Sequence, residues 1–258
     1  MKLGVQLYGC TNLYRADPEG FLKRIREMGY DVIEPCVVLD DSANDFAWKL
    51  ADLDRHVALA KRCGLELDSC HVFADGFWTR VSEMLEIARR FGAKRFVVGW
   101  QGAVSRAALD AFAAHCMEAA DALAAEGCEL WLHNVRDEIA ARIDGISAYE
   151  YILRACGGKL GAQVDTGWAV CGGEEIADFL TRNEKYVRSV HHKDVAAVTD
   201  ADGNTVNVAL GKGIVDVAFP YAFGAKRGLT QIVDQDNSAG DIMEDLRQSV
   251  ACLRELGR

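Results

Sequence analysis

The sequence predicts an α/β fold, a closed (β/α)8 TIM barrel, on three observations. Eight short runs rich in Val, Ile and Leu recur along the 258 residues, and about eight helical patterns alternate with them. The repeat of roughly 30 residues is the size of one βα unit. The runs are apolar on both faces, which suits a parallel sheet covered by helices. A doubly wound open sheet is the runner-up. It would place a G-x-G-x-x-G turn after the first strand, and "LYGCTN" lacks one.

The elements follow in order. The strand runs are "KLGVQLY", "DVIEPCV", "LELDSCHVF", "RFVVGW", "CELWLHN", "LGAQVDTGW", "VRSVHHKD" and "LTQIVDQD". Most follow a glycine that ends a helix: Gly29, Gly64, Gly92, Gly127 and Gly228. Apolar residues three and four apart mark helices in "DPEGFLKRIREMG", "FAWKLADLDRHVALAKRCG", "TRVSEMLEIARRFG", "SRAALDAFAAHCMEAADALAAEG" and "GDIMEDLRQSVACLRELG". With only three prolines and no Ser/Gly-rich linker, residues 1–258 are expected to form a single domain.

Composition narrows the function. A net charge of −10 repels phosphate backbones and anionic lipid heads, which argues against nucleic acid and membrane partners. The N-terminal residues show no basic-then-apolar leader pattern, so a cytoplasmic protein is expected. Nine scattered cysteines without a C-x-x-C pair are expected to be buried free thiols rather than a zinc site or disulfide framework.

A closed barrel gathers its reactive groups at the C-terminal ends of the strands. There the chain places Gln6 and Tyr8, Glu34, His71, Trp100 and Gln101, His133 and Asn134, Asp165 and Trp168, His191 to Asp194, and Asp234 to Asp236, with Glu138 just beyond strand five. A lone strand-end histidine is more often a hydrogen-bonded structural residue than a ligand. Here four consecutive strands, five to eight, each end in a group able to bind a cation. Side chains alternate along a strand, so His191 and Lys193 share one face and His192 and Asp194 the other. At most one of the two histidines then faces the site.

The second half carries "LHNVRDEI", "VDTGWAVCGG", "VHHKDV", "LGKGIVD" and "IVDQDNSAGDIMEDLRQSVACLREL". These look like the yHNHdfEf, vDtGWa, vHlKD, lGeGivD and vEqD segments of the xylose-isomerase-like TIM barrels, the sugar phosphate isomerases/epimerases, in the same order. "GVQLYG" and "GYDVIEP" match that family's first two strands. The resemblance spans nearly the whole chain. It implies one divalent metal held by the ends of strands five to eight, which by position are His133, Asp165, His191 and Asp234. Many members have Glu where this chain has His133 and Asp234, although a yHnH subgroup shares the histidine. The second His of that subgroup is Val135 here, and its later Glu is Glu138.

In family epimerases two metal-bound glutamates exchange protons on opposite faces of a carbon. Their replacement makes a lyase or dehydratase, or cleavage of a C-glycoside or 3-keto-glycoside, as plausible as an isomerase/epimerase. All of these begin with proton abstraction next to a carbonyl, through a metal-stabilised enediolate. The base candidates, in falling order, are His71, Glu138 and Asp236, and Lys193 could polarise or protonate a substrate oxygen; the bland alternative for Lys193 is an ion pair to a strand-end carboxylate. Gln6, Trp100 and Trp168 are candidate substrate contacts, with Trp131 as a further wall residue. Two imidazoles with two carboxylates favour Mn²⁺, Co²⁺, Fe²⁺ or Zn²⁺ over Mg²⁺, and Mn²⁺ is preferred partly on the resemblance. The glycines of "LGKGIVD" could present N–H groups to a phosphate, but Lys212 is the motif's only basic residue. Asp216 is expected to cap a helix.

The expected ligand is a keto-sugar, sugar derivative or cyclic polyol, and a homo-oligomer or an accessory subunit at the pocket is compatible with the chain. The contrasting reading is a non-catalytic sugar-binding or partner-binding barrel that has lost its glutamate bases. The DNA-repair endonuclease branch of the same fold needs more ligating histidines and a basic surface. Six histidines and a charge of −10 argue against it.

Overall fold

A computed structural model describes residues 2–40, 47–100, 102–198 and 205–258. Eight parallel strands form the barrel: β1 (Leu3–Gln6), β2 (Val32–Glu34 and, past Pro35, Cys36–Val38), β3 (Ser69–Phe73), β4 (Arg95–Gly99), β5 (Glu129–His133), β6 (Gly161–Asp165), β7 (Val187–His192) and β8 (Gln231–Val233). Each pairs with the next, and β8 returns to β1 with Ile232 opposite Gly4. All eight lie on the runs that the sequence marks as strands, β2 extending one residue further, to Val38.

Strand β2 closes the ring in two pieces. Pro35 has no N–H, so the ladder cannot run through it. The half before it pairs with β1, Glu34 opposite Gln6, and the half after it pairs with β3, Cys36 opposite His71. The Pro35 carbonyl accepts from the His71 N–H at 2.9 Å and bridges the break.

Of the eleven α-helices among the described residues, eight pack as the barrel's outer helices: α1 (Pro18–Met28), α2 (Leu53–Arg62), α3 (Val81–Phe91), α4 (Arg106–Ala124), α5 (Ala148–Ala155), α6 (Ile176–Arg182), α7 (Ala218–Lys226) and α8 (Ile242–Leu256). Their caps are local. The Asp17 carboxylate accepts from the Gly20 N–H at the start of α1, where Pro18 is pre-set for the helix, and left-handed Gly29 ends it. Asp216 accepts from the Ala218 N–H at 2.9 Å, as expected of a cap.

The helical pattern from Phe46 is only partly realised. Phe46, like Gln101, lies outside the described residues. Trp48–Lys49 instead form a short strand beside Cys36–Val38, Leu50–Asp52 form a 3-10 turn, and the helix begins at Leu53. Tertiary packing overrides the local period here. The Trp48 ring stacks on His56 at 4.7 Å and packs against Tyr14 at 5.5 Å. All nine cysteines are free thiols and seven are buried. Among the described residues no helix is long and apolar enough to cross a membrane.

Candidate metal centre

Strand register brings the polar residues of different strands to one level. His133 lies opposite Gln163, and Asp165 lies opposite His191. Asp234 follows β8, its N–H bonded to the His192 carbonyl at 3.0 Å. One side-chain N or O from each of His133, Asp165, His191 and Asp234 lies within 4.8 Å of the others, and all four residues are buried. The His133 Nε2 is 3.7 Å from Asp165 Oδ2 and 3.8 Å from Asp234 Oδ2, and His191 Nδ1 is 3.0 Å from Asp234 Oδ2.

This donor set fits a divalent cation. Buried polar atoms normally find a partner. Yet His133 Nε2, Asp165 Oδ2 and Asp234 Oδ1 are buried and complete no hydrogen bond. Burial pushes the His133 imidazole down to about 4, with the His191 and His71 charges adding to it, so it is neutral at pH 7, the form that ligates. Burial would push His191 down as well, but the Glu34 and Asp234 carboxylates outweigh it and raise the imidazole to about 10.

Glu34 was legible as a strand-end residue, but its role was not. Its Oε2 is 2.6 Å from His191 Nε2 and 3.2 Å from His71 Nε2, while its Oε1 accepts from Gln163 Nε2 at 2.9 Å and from Ser69 Oγ. A carboxylate on the far nitrogen of a histidine fixes the ring for ligation through the near one. His71 also lies 2.8 Å from the Gln163 side-chain oxygen. It belongs to this supporting network as well as to the cavity lining.

The "DTGW" and "HHKD" motifs interlock residue by residue. Asp165 Oδ1 accepts from the Trp168 N–H at 2.8 Å and turns Oδ2 toward the cluster. Thr166 Oγ1 clamps the Lys193 backbone, donating to its carbonyl at 3.0 Å and accepting from its N–H at 3.1 Å. Gly167 makes room for the Lys193 stem: a Cβ there would lie 2.7 Å from Lys193 Cγ. The Trp168 ring packs against the Lys193 ammonium, 4.9 Å from its centroid.

Lys193 points into the site beside His191, as alternation predicts. Its buried Nζ lies 3.0 Å from Asp165 Oδ2, 3.2 Å from Asp234 Oδ2 and 2.6 Å from Asp236 Oδ2. The ion-pair reading of this lysine is therefore realised three times over. Burial opposes its charge, but the three aspartates hold the ammonium protonated. Asp236 is itself raised to about 6 by burial, against the pull of Lys193. Its loop is fixed by Asn207, whose Oδ1 accepts the Asp236 N–H at 2.8 Å.

The other face of the strand is structural. His192 bonds to the Gln231 side chain beneath α7, so only His191 belongs to the cluster. The Asp194 carboxylate accepts from the N–H groups of Gly211, Gly213, Val215 and Val195 at 2.8–3.0 Å. The glycine loop thus wraps around an internal carboxylate, and the N–H groups considered for a phosphate are already taken.

The cluster opens into a cavity of about 810 Å³. Gln6, His71, Trp100, Glu138, Trp168, Lys193 and Asp236 all line it. Gln6 accepts the Tyr8 N–H at 2.5 Å. Trp131 does not line it: this ring is buried inside the barrel, with the Arg95 guanidinium over it at 5.5 Å, and a Cβ on Gly161 would meet its Cδ1 at 2.4 Å. Trp78 lines the cavity instead. It lies in the loop after β3, where the strand-end survey stopped short. Glu138 is raised to about 7 by burial, against the Val135 N–H that it accepts at 2.8 Å.

The architecture is that of a parallel α/β barrel with a cluster of candidate cation ligands at the C-terminal mouth of its strands. The chain belongs to the xylose isomerase-like TIM barrel family, whose pattern matches residues 22–255. It is similar in fold to a sugar phosphate isomerase/epimerase from Parabacteroides distasonis ATCC 8503, with TM-score 0.79 and 16% identity over 97% of this chain and 94% of that one. It is also similar to the probable 3-DHS dehydratase AsbF of petrobactin synthesis from Bacillus anthracis (0.73, 12%, 98% and 99%). A third similar structure is a xylose isomerase-like TIM barrel protein from Mycobacterium smegmatis in complex with magnesium (0.70, 15%, 99% and 96%). No curated protein matches the chain.

Proposed function

We propose that this protein is a divalent-metal-dependent isomerase/epimerase or lyase acting on a keto-sugar, sugar derivative or cyclic polyol. The observation that carries the reading is the convergence of His133, Asp165, His191 and Asp234, with His133 Nε2 and Asp234 Oδ1 buried there without a hydrogen bond. A cation held there would supply Lewis acidity toward oxygens of the substrate. The mixed N/O set supports Mn²⁺ first, although a similar fold carries magnesium.

The chain's own residues would move the proton. Glu138 lines the cavity and titrates near neutrality, which suits a general base abstracting a proton beside a carbonyl. His71 and Asp236, the other candidates, are engaged with Gln163 and Glu34 and with Lys193. Lys193 would hold or donate a proton at the substrate oxygen. With Glu138 as the one base candidate held by a backbone N–H alone, proton removal followed by loss of a leaving group fits at least as well as two-base epimerisation. The named relatives in this fold include both an isomerase/epimerase and a probable dehydratase.

The test is metal titration by calorimetry, followed by NMR of solvent-deuterium exchange into a panel of keto-sugars. One Mn²⁺ per chain is expected, abolished in His133→Ala and Asp165→Asn, with exchange lost in Glu138→Gln. Stoichiometric metal with no exchange on any panel member would favour the non-catalytic sugar-binding barrel. No metal uptake at all would overturn the enzymatic reading.

A further inference from the structure

The cavity is divided by chemistry. Its charged side is the ligand cluster with Lys193, Asp236 and Glu138. The side built by the ends of β3 and β4 and by α4 is aromatic: Phe73, Phe77, Trp78, Trp100 and Phe112. Four of these rings, Phe77, Trp78, Trp100 and Phe112, form a connected wall. Trp100 meets Phe112 edge-on at 4.9 Å, Phe112 meets Phe77 at 5.9 Å, and Phe77 meets Trp78 at 5.3 Å. Behind Trp78 the His115 ring stacks flat at 4.0 Å and holds the indole in place. The Trp100 indole N–H finds no acceptor among the described residues.

The charge of the lining is as informative as its rings. Among the described residues Lys193 is the only Lys or Arg that lines the cavity, and three carboxylates already engage it. Asp40 and Asp75 add negative charge at the mouth. The segments 41–46, 101 and 199–204 contain no Lys or Arg. The backbone N–H groups of the glycine loop belong to Asp194. A phosphate is recognised by Arg or Lys or by backbone N–H groups, and here the one lining lysine is engaged by three carboxylates and the N–H groups of the glycine loop are taken.

We propose that the cavity takes an unphosphorylated sugar conjugate, its sugar head over the His133–Asp165–His191–Asp234 cluster and a planar apolar substituent against the Phe77–Trp78–Trp100 wall. The inference rests on the sugar-directed reading above and narrows it to one substrate class. Sugar rings and planar groups both lie well on aromatic faces, and 810 Å³ is room for a drug-sized ligand rather than a monosaccharide alone.

The test uses the full chain loaded with Mn²⁺ and matched probes: methyl and phenyl glycosides of glucose, galactose, xylose and arabinose, and glucose 6-phosphate beside glucose. Binding is read by calorimetry and tryptophan fluorescence. At least one phenyl glycoside is expected to bind tenfold or more tightly than its methyl partner, and the phosphate no more tightly than the parent sugar. Trp78→Ala should erase the phenyl advantage, bringing the phenyl glycoside to the affinity of its methyl partner in the same variant, and Trp78→Phe, which keeps a ring, should retain most of it. The proposal is overturned if no phenyl glycoside exceeds its methyl partner, including when none binds, or if the phosphorylated sugar is preferred. The same comparison in His133→Ala separates the two readings. A phenyl preference that persists without metal speaks for the wall, whereas failed metal uptake in the wild-type chain strikes only the enzymatic reading.

Discussion

Replacing Lys193 with methionine removes a positive charge from the most crowded part of the site while keeping most of the length of the side chain. Its ammonium, 1% exposed, lies within 3.2 Å of oxygens from Asp165, Asp234 and Asp236. Removing one partner of a buried ion pair costs about 3–5 kcal/mol, because the other charge is left uncompensated. Part of that cost is relieved if Asp236, already raised to about 6, takes up a proton. The deficit should therefore be larger at pH 8 than at pH 5.5. A divalent cation would neutralise the same oxygens, so added Mn²⁺ should stabilise K193M more than the parent protein. A tenfold tighter metal Kd in the variant corresponds to about 1.4 kcal/mol of extra stabilisation at saturating metal. Urea unfolding of both proteins, with and without Mn²⁺, measures all four corners of this cycle. The reasoning is refuted if K193M is as stable as the parent without metal, or if Mn²⁺ stabilises the two equally.

Three further outcomes are expected. Glu138, raised to about 7, is protonated in the fold between its ordinary value and 7, so its contribution to stability is greatest below about 4.5 and is lost as pH rises through 7. Activity that uses it as a base should run the other way, rising through about pH 7, and E138Q should abolish that limb of the pH–rate profile. Asp194→Ala should cost about 1–3 kcal/mol in urea unfolding, since the buried Val215 N–H and the more exposed N–H groups of Gly211 and Gly213 lose their acceptor; a variant within 0.5 kcal/mol of the parent would show that the loop needs no such core. Gly167→Ala should destabilise by about 1–3 kcal/mol by pushing on the Lys193 stem, and a shifted tryptophan emission from Trp168 would report the displacement.

The barrel was legible because its signal is redundant. Eight apolar runs, each followed by a helix-period segment, agree with one another, and no single boundary decides the outcome. The four clustered residues were legible through motif order, and the inward face of "VHHKDV" through alternation. The supporting network was less so. Glu34, Ser69 and Gln163 come from three strands, and only register makes them neighbours. Alternation put Asp194 on the face away from His191, but nothing in its own strand reveals that a loop some twenty positions later folds around it. Trp131 could not be told from a cavity residue by type. Its fate is set by its place lower on β5 than His133 and by the missing side chain at Gly161.

The break in β2 bears directly on the histidine at the heart of the site. A residue that precedes proline is held to extended backbone by the proline ring. Glu34 is that residue, and its carboxylate grips the imidazole of His191. The seam that interrupts the ladder thus anchors one of the two carboxylates, Glu34 and Asp234, that hold the ring. Substituting Pro35 would restore a missing donor to the barrel and at the same time release the hand that aims His191.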